Sequence, residues 1–243
     1  MLDSIFTLKE SRKIAKNTYE WVMEGDTSHI TAPGQFVNIK LDGFYLRRPI
    51  SVADVEGNNL TIVYKVVGEG TEKMANMPVG SELLVLSGLG NGYDLAPSGD
   101  APLLIGGGAG VPPMYLLARR LTALGKSVSV ILGFGSADEI FYKDRFEKLG
   151  AKVYVTTADG SEGVKGFVTD AMPEISYSYF YTCGPEPMLK AVYNSSSTSG
   201  QFSFEERMGC GFGACMGCTC ETKYGNKRIC RDGPVLVKEE IIW

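Results

Sequence analysis

Residues 5 to about 96 alternate between apolar and polar positions in short runs punctuated by glycine and proline. Examples are Gln35-Phe-Val-Asn-Ile-Lys, Leu60-Thr-Ile-Val-Tyr-Lys-Val-Val and Glu82-Leu-Leu-Val-Leu. A period of two belongs to half-buried strands, so this stretch predicts a small antiparallel barrel or sandwich. At Ala101 the pattern changes. Leu103-Leu-Ile is apolar without alternation and runs through a glycine-rich turn into a helix, Met114 to Leu124, that stops at Gly125. Further strands at 127–132, 153–157 and 179–183 alternate with helical stretches, which predicts a doubly wound parallel sheet of the kind that binds nucleotides. Asn194-Ser-Ser-Ser-Thr-Ser-Gly200 reads as a flexible linker, and a cysteine-rich tail follows it. The expected division is 1–98, 99–198 and 199–243.

Composition narrows the class. The 243 residues are 44% hydrophobic with a formal charge of −4, enough to bury a core in one large or two ordinary domains. Lysine and arginine occur in scattered pairs such as Arg47–Arg48 and Arg119–Arg120, never in blocks, so neither nucleic acid nor a membrane surface is expected as a partner. The opening Met-Leu-Asp-Ser-Ile-Phe-Thr-Leu-Lys-Glu puts charges where a signal peptide needs an apolar core, and no run approaches the ~20 apolar residues of a spanning helix. A soluble, cytoplasmic protein is expected.

Five of the six cysteines fall between Cys210 and Cys230, which suits neither a disulfide framework nor a set of isolated core thiols. Cys210, Cys215, Cys218 and Cys230 are separated by four, two and eleven residues. Plant-type ferredoxins hold a [2Fe–2S] cluster with C-x4-C-x2-C and a distant fourth cysteine, so these four are the expected metal ligands. Gly211, Gly213, Ala214 and Gly217 are small enough to let the loop wrap a cluster while backbone N–H groups reach the sulfurs. Structural zinc usually takes two short-spaced pairs from separate knuckles, and a Rieske centre needs two histidines where the chain has only His29. Cys218 and Cys220 alternate along one strand of an expected hairpin. Spacing favours Cys218, leaving Cys220 as a buried free thiol.

Two further groups of residues suit cofactor chemistry. Arg48-Pro49-Ile50-Ser51, then Val63-Tyr64-Lys65, then Gly68-Glu69-Gly70-Thr71 entering a helix resemble the ferredoxin reductase family of flavoproteins, with its Arg-x-Tyr-Ser/Thr motif and Gly-Thr phosphate loop. The resemblance implies FAD. Arg48 suits the pyrophosphate, Ser51 the flavin N5, and Gly70–Thr71 a phosphate at a helix start. Ile50 departs from the usual tyrosine. Gly106-Gly107-Gly108-Ala109-Gly110 lies between a buried strand and a helix, where N–H groups and the helix dipole favour a pyrophosphate, and it resembles the Gly-Gly-Gly-x-Gly-x-x-Pro turn of the same family. Cys183-Gly184-Pro185-Glu186-Pro187-Met188 is similar to that family's Cys-Gly-Pro-x-x-Met segment, which implies that Cys183 acts beside the nicotinamide and Ser51 beside the flavin. Asp138 and Glu139, with no arginine for a 2′-phosphate, tilt the choice to NAD.

A nicotinamide exchanges electrons in pairs and an iron–sulfur cluster singly, so a flavin between them is chemically required. Over its whole length the chain resembles the electron-transfer subunits of B-type, NAD-dependent dihydroorotate dehydrogenases. The resemblance rests above all on Glu206-Arg-Met-Gly-Cys-Gly-Phe-Gly-Ala-Cys-Met-Gly-Cys and Cys230-Arg-Asp-Gly-Pro, together with Thr157–Ser161 and Gly166–Asp170. It implies a heterotetramer of two copies of each chain, in which an FMN-containing catalytic subunit oxidises dihydroorotate for pyrimidine synthesis. This chain then passes the electrons through the cluster and FAD to NAD+. It also implies an FAD-binding barrel, an NAD-binding α/β domain and a cluster-binding module. The alternatives are a free-standing NAD(P)H reductase feeding a ferredoxin or oxygenase, and a non-catalytic zinc module.

Overall fold

The computed structural model describes all 243 residues. Six strands close a barrel: β1 (Leu2–Ala15), β2 (Thr18–Glu24), β3 (Phe36–Ile39), β4 (Arg48–Glu56), β5 (Asn59–Lys65) and β6 (Glu82–Leu89). They follow the order β1-β2-β5-β4-β3-β6, and their pairings are antiparallel. Alternate residues fill the interior, among them Phe6, Leu8, Trp21, Met23, Val37, Ile39, Leu60 and Ile62, all fully buried. Helix α1 (Glu69–Ala75) adds Met74 to that core. Closure leaves no exposed strand edge on this half. It depends on β1, whose first half pairs with β6 and whose second half pairs with β2.

The second half is a seven-stranded sheet in the order β10-β9-β8-β7-β11-β12-β15. Its strands are β7 (Pro102–Gly107), β8 (Ser129–Phe134), β9 (Lys152–Thr157), β10 (Val164–Lys165), β11 (Tyr179–Cys183), β12 (Gly200–Ser203) and, after the hairpin β13 (Thr219–Thr222) and β14 (Gly225–Arg228), β15 (Val235–Val237). All neighbours are parallel except β12 and β15. The helices are α2 (Val111–Ala123), α3 (Lys143–Lys148), α4 (Val168–Ala171), α5 (Glu186–Ser195) and α6 (Ile229–Asp232). Helix α2 begins three residues before the apolar periodicity suggested, because Pro112 and Pro113 sit in its first turn, where a missing N–H costs nothing.

The expected linker at 194–200 is not one. Asn194 and Ser195 end α5, Gly200 opens β12, and the turn between is pinned by the Lys238 ammonium, which donates to the Ser196 carbonyl and hydroxyl at 2.7 Å each. Serine-rich composition suggested disorder; a lysine forty residues downstream supplies order. The barrel and sheet are held together by buried charge. Glu20 on β2, its side chain fully buried, accepts from Arg12 at 2.6 Å, from Arg145 of α3 at 2.7 and 2.9 Å, and from the Tyr142 hydroxyl. Arg119 of α2 pairs with Asp54 of β4 at 2.8 Å. Removing the arginines would leave the buried Glu20 carboxylate short of partners, so these contacts fix the two halves against each other. No helix is long and apolar enough to cross a membrane.

Candidate redox centre

Between barrel and sheet lies a cavity of about 370 Å³. Arg48, Pro49, Ile50 and Ser51 of β4 and Val63, Tyr64 and Lys65 of β5 line it, with Thr71 at the start of α1 and Ala109 from the glycine turn. Phe36 and, from the tail, Ser203 to Glu206, Met208 and Pro234 complete the wall. The Arg48 guanidinium lies against Gly70: a Cβ there would stand 2.1 Å from Arg48 Nε, so only glycine leaves the cation room. Arg48 also stacks over the Phe44 ring, 4.6 Å from its centroid. The Thr71 hydroxyl accepts from the Val67 and Gly68 N–H groups at 2.9 and 3.2 Å and donates to the Gly68 carbonyl at 2.9 Å, which fixes the turn before α1.

A larger cleft of about 670 Å³ opens across the C-terminal ends of the parallel strands, where doubly wound sheets bind nucleotides. Gly107, Gly108 and Ala109 form its floor, and Gly133–Gly135, Thr156 and Ala158 end the neighbouring strands. Gly106 and Gly110 serve packing: a Cβ on Gly106 would lie 2.8 Å from the Val111 Cα, and one on Gly110 would lie 2.1 Å from the Cys183 carbonyl oxygen. Pro185 lines the cleft, while Gly184 faces an adjoining groove. Cys183 ends β11 beneath this floor at 1% exposure, and burial, with Glu205 nearby, pushes its thiol pKa far up. It is therefore a neutral thiol. Asp138 turns away to pair with Lys16 at 3.0 Å; Glu139 lines the cleft and pairs with Lys65 at 2.8 Å, which holds its carboxyl below the usual range.

No helix or strand interrupts the chain from Phe204 to Cys218, and backbone-to-sulfur hydrogen bonds organise its cysteines in two pairs. The Ala214 and Cys215 N–H groups donate to Cys210 Sγ at 3.2 and 3.5 Å, and the Cys210 N–H donates to Cys215 Sγ at 3.4 Å. Cys218 and Cys230 are buried, with the Cys230 N–H 3.4 Å from Cys218 Sγ. Burial raises the Cys210 pKa, but N–H donation from Cys215, Phe212 and Ala214 outweighs it and brings the thiol down to about 6. Cys230 goes the other way, to about 12, because it is buried and hydrogen-bonded to the Cys218 sulfur. Cys210 thus favours thiolate unaided, whereas Cys230 needs a cation to become thiolate, which fits a shared metal group. Cys220 is not the buried thiol expected: it is half-buried, because its place on the two-stranded hairpin turns it toward the adjoining groove.

Several residues that line these spaces carry no local sequence signal. Glu205 borders the cavity, the cleft and the groove at once; crowding raises its pKa although solvent reaches it from the cavity side. Phe167, 70% exposed before α4, and Met188 of α5 both line the cleft. The Thr156 hydroxyl is buried there without a partner. Only an exposed aromatic after a Gly-x-x-Gly stretch, Gly163 to Gly166, hinted at Phe167.

Barrel, doubly wound sheet and cysteine loop in this arrangement define an NAD-linked iron–sulfur oxidoreductase of the ferredoxin reductase type. Residues 104–194 match the family model of the oxidoreductase NAD-binding domain, and residues 205–242 match that of the iron–sulfur cluster binding domain of dihydroorotate dehydrogenase B. The chain is 45% identical to the dihydroorotate dehydrogenase B (NAD(+)) electron transfer subunit of Fusobacterium nucleatum subsp. nucleatum, over 97% of this chain and 96% of that one, and 42% identical, with the same coverage, to the subunit so named from Shouchella clausii. Among solved structures, an NADH-dependent reduced ferredoxin-NADP oxidoreductase described for flavin-based electron bifurcation superposes with a TM-score of 0.89 at 30% identity, over 98% of this chain and 90% of that one. The chain belongs to the family of electron transfer subunits of dihydroorotate dehydrogenase B (NAD(+)), and so works with a catalytic partner subunit.

Proposed function

We propose that the 370 Å³ cavity takes FAD, that Cys210, Cys215, Cys218 and Cys230 hold a [2Fe–2S] cluster, and that NAD occupies the 670 Å³ cleft. When bound, FAD exchanges electron pairs with a nicotinamide and single electrons with iron. Arg48, given room by Gly70, neutralises a pyrophosphate; Gly70 and Thr71 offer backbone N–H groups at the start of α1; Ser51 is the hydroxyl for the flavin N5. Ile50, Pro49, Val63 and Tyr64 supply the apolar surface. In the cleft, Gly107 to Ala109 and the N-terminus of the thirteen-residue α2 favour phosphate, and Lys65 is the one cation in the lining. With no second cation for a 2′-phosphate, the cleft favours NAD over NADP. Phe167 suits an adenine face. Cys183, neutral under the floor with Gly184 and Pro185 above it, shapes the place where nicotinamide and flavin meet. The chain then divides functionally at 1–98, 99–198 and 199–243.

The observation that carries this reading is continuity: Ser203 to Glu206 and Met208 wall the cavity, and two residues later the chain reaches Cys210. Electrons from a cytoplasmic FMN-containing subunit, in a heterotetramer of two copies of each chain, would enter at the loop and leave as hydride at the cleft. The test is anaerobic expression with the neighbouring genes. Flavin bands, iron at two atoms per chain, reduction by NADH more readily than by NADPH, and a co-purifying FMN protein are expected. A colourless, iron-free protein overturns the reading; full activity toward a ferredoxin without any partner would favour a free-standing reductase.

A further inference from the structure

Strand β3 presents Phe36 and Asn38 on one outward face, since side chains two apart share a side, while Val37 and Ile39 point into the barrel. Phe36 walls the flavin cavity. Asn38, 1% exposed, meets the cysteine loop: its Nδ2 donates to the Cys210 carbonyl at 3.3 Å, across 172 positions of sequence, and no other barrel side chain hydrogen-bonds the segment 208–218. The loop is shaped to receive it. Gly211 has φ +76°, and a Cβ there would stand 2.3 Å from Asn38 Nδ2, so a glycine lets the backbone press on the amide.

The arrangement is costly. Asn38 Oδ1 is buried without a partner, a loss of about 1–3 kcal/mol that an apolar side chain of the same shape would not incur. Buried polar groups left in this way ask for a reason, and the stability of the barrel does not supply one. The backbone of Asn38 is also well anchored. It pairs with Pro49, between Arg48 and Ile50 of the cavity wall, and its carbonyl accepts from Arg47 at 3.4 Å, a residue itself gripped by Asp3 at 2.8 and 2.9 Å. One strand therefore touches the flavin cavity with one side chain and a ligand residue's carbonyl with the next.

We infer that Asn38 is a positioning residue that seats the Cys210 end of the cysteine loop against the flavin-bearing barrel, and so sets the electron step between flavin and iron. The inference rests on the reading of cavity and loop given above. A hydrogen bond to a ligand residue's backbone orients the ligand, and a fixed separation governs a step whose rate falls steeply with distance. Asn38 touches nothing in the NAD cleft, so the nicotinamide step is independent of it.

The test uses the assembled complex with Asn38→Ala and with the near-isosteric Asn38→Asp, which lacks the amide donor. Stopped-flow absorbance separates flavin reduction by NADH from reduction of the iron chromophore, and low-temperature EPR of the reduced protein reports the cluster's surroundings. Both variants should keep flavin, reduce it with NADH at the wild-type rate, pass electrons to iron roughly tenfold more slowly, and show shifted g values. Loss of iron from Asn38→Ala with flavin retained also supports the proposal, because the loop then fails to seat. Unchanged g values and an unchanged flavin-to-iron rate in both variants would overturn it, as would equal slowing of both steps or loss of flavin together with iron. Wild-type complex lacking flavin or iron would instead overturn the underlying assignment, so the two failures are distinguishable.

Discussion

The flavin cavity and the cysteine loop are joined by a few residues of chain, yet they are built in opposite ways. The cavity is walled by strands whose positions are set by a closed barrel and by ion pairs such as Glu20 with Arg145. The loop from Phe204 to Cys218 has no helix or strand, and its sulfurs are arranged by backbone N–H groups and the Arg228 donation to the Gly213 carbonyl at 2.9 Å. A site on rigid elements is formed before its ligand arrives, and its contacts can be removed one at a time. A site on irregular backbone gains its shape from the bound group, so its ligands stand or fall together.

The largest expected effect follows directly. Cys218→Ser should abolish iron binding and loosen the loop to proteolysis while flavin stays bound, whereas Cys220→Ser should leave iron near wild type; equal iron loss in both would show that the ligand set is wrong. Arg48→Met should weaken FAD by about 1.5–3 kcal/mol, the worth of a hydrogen bond to a charged group, measured by titrating flavin into deflavinated protein. Undiminished affinity there would remove Arg48 from the pyrophosphate site.

Smaller effects sharpen the strand-built side of the comparison. Cys183→Ala should slow flavin reduction by NADH roughly tenfold through misplacement, with flavin and iron contents unchanged. Because burial raises the Cys183 pKa, the thiol stays protonated between about pH 6 and 9, and the wild-type rate should show no break from it there. A break lost in the variant would contradict the neutral-thiol assignment. Lys65→Met should raise KM for NADH by about fivefold, the ~1 kcal/mol of a partly exposed charge, with kcat kept and the salt dependence of KM flattened.

Much of the architecture was legible because its signals are local. Alternation marked the barrel strands, and its loss at Ala101, followed by strand, helix and strand in turn, marked the parallel sheet. Of the motif residues, Arg48 to Ser51, Val63 to Lys65 and Thr71 line one space and Gly107 to Ala109 the next, while Gly70 lies under the Arg48 guanidinium. What stayed hidden depends on distant residues: the ordering of 194–200 by Lys238, the turning of Asp138 toward Lys16, and the meeting of Asn38 with Cys210. The five small residues at 106–110 read as one phosphate turn. They divide their duties, and only the direction of each Cα, which spacing does not encode, separates floor from packing.

The strands on either side of the cysteine loop, β12 and β15, belong to the large sheet, with β12 lying directly on β11. Trimming the gene after residue 198 to obtain a lean nicotinamide-binding fragment would strip β11 along one side, leaving its peptide groups open to any passing strand. Such a fragment should oligomerise or precipitate. Grafting the metal-bearing tail onto another reductase would require the recipient to offer a matching sheet margin, so exchange of this tail between proteins is a matter of strand register as much as of cysteines.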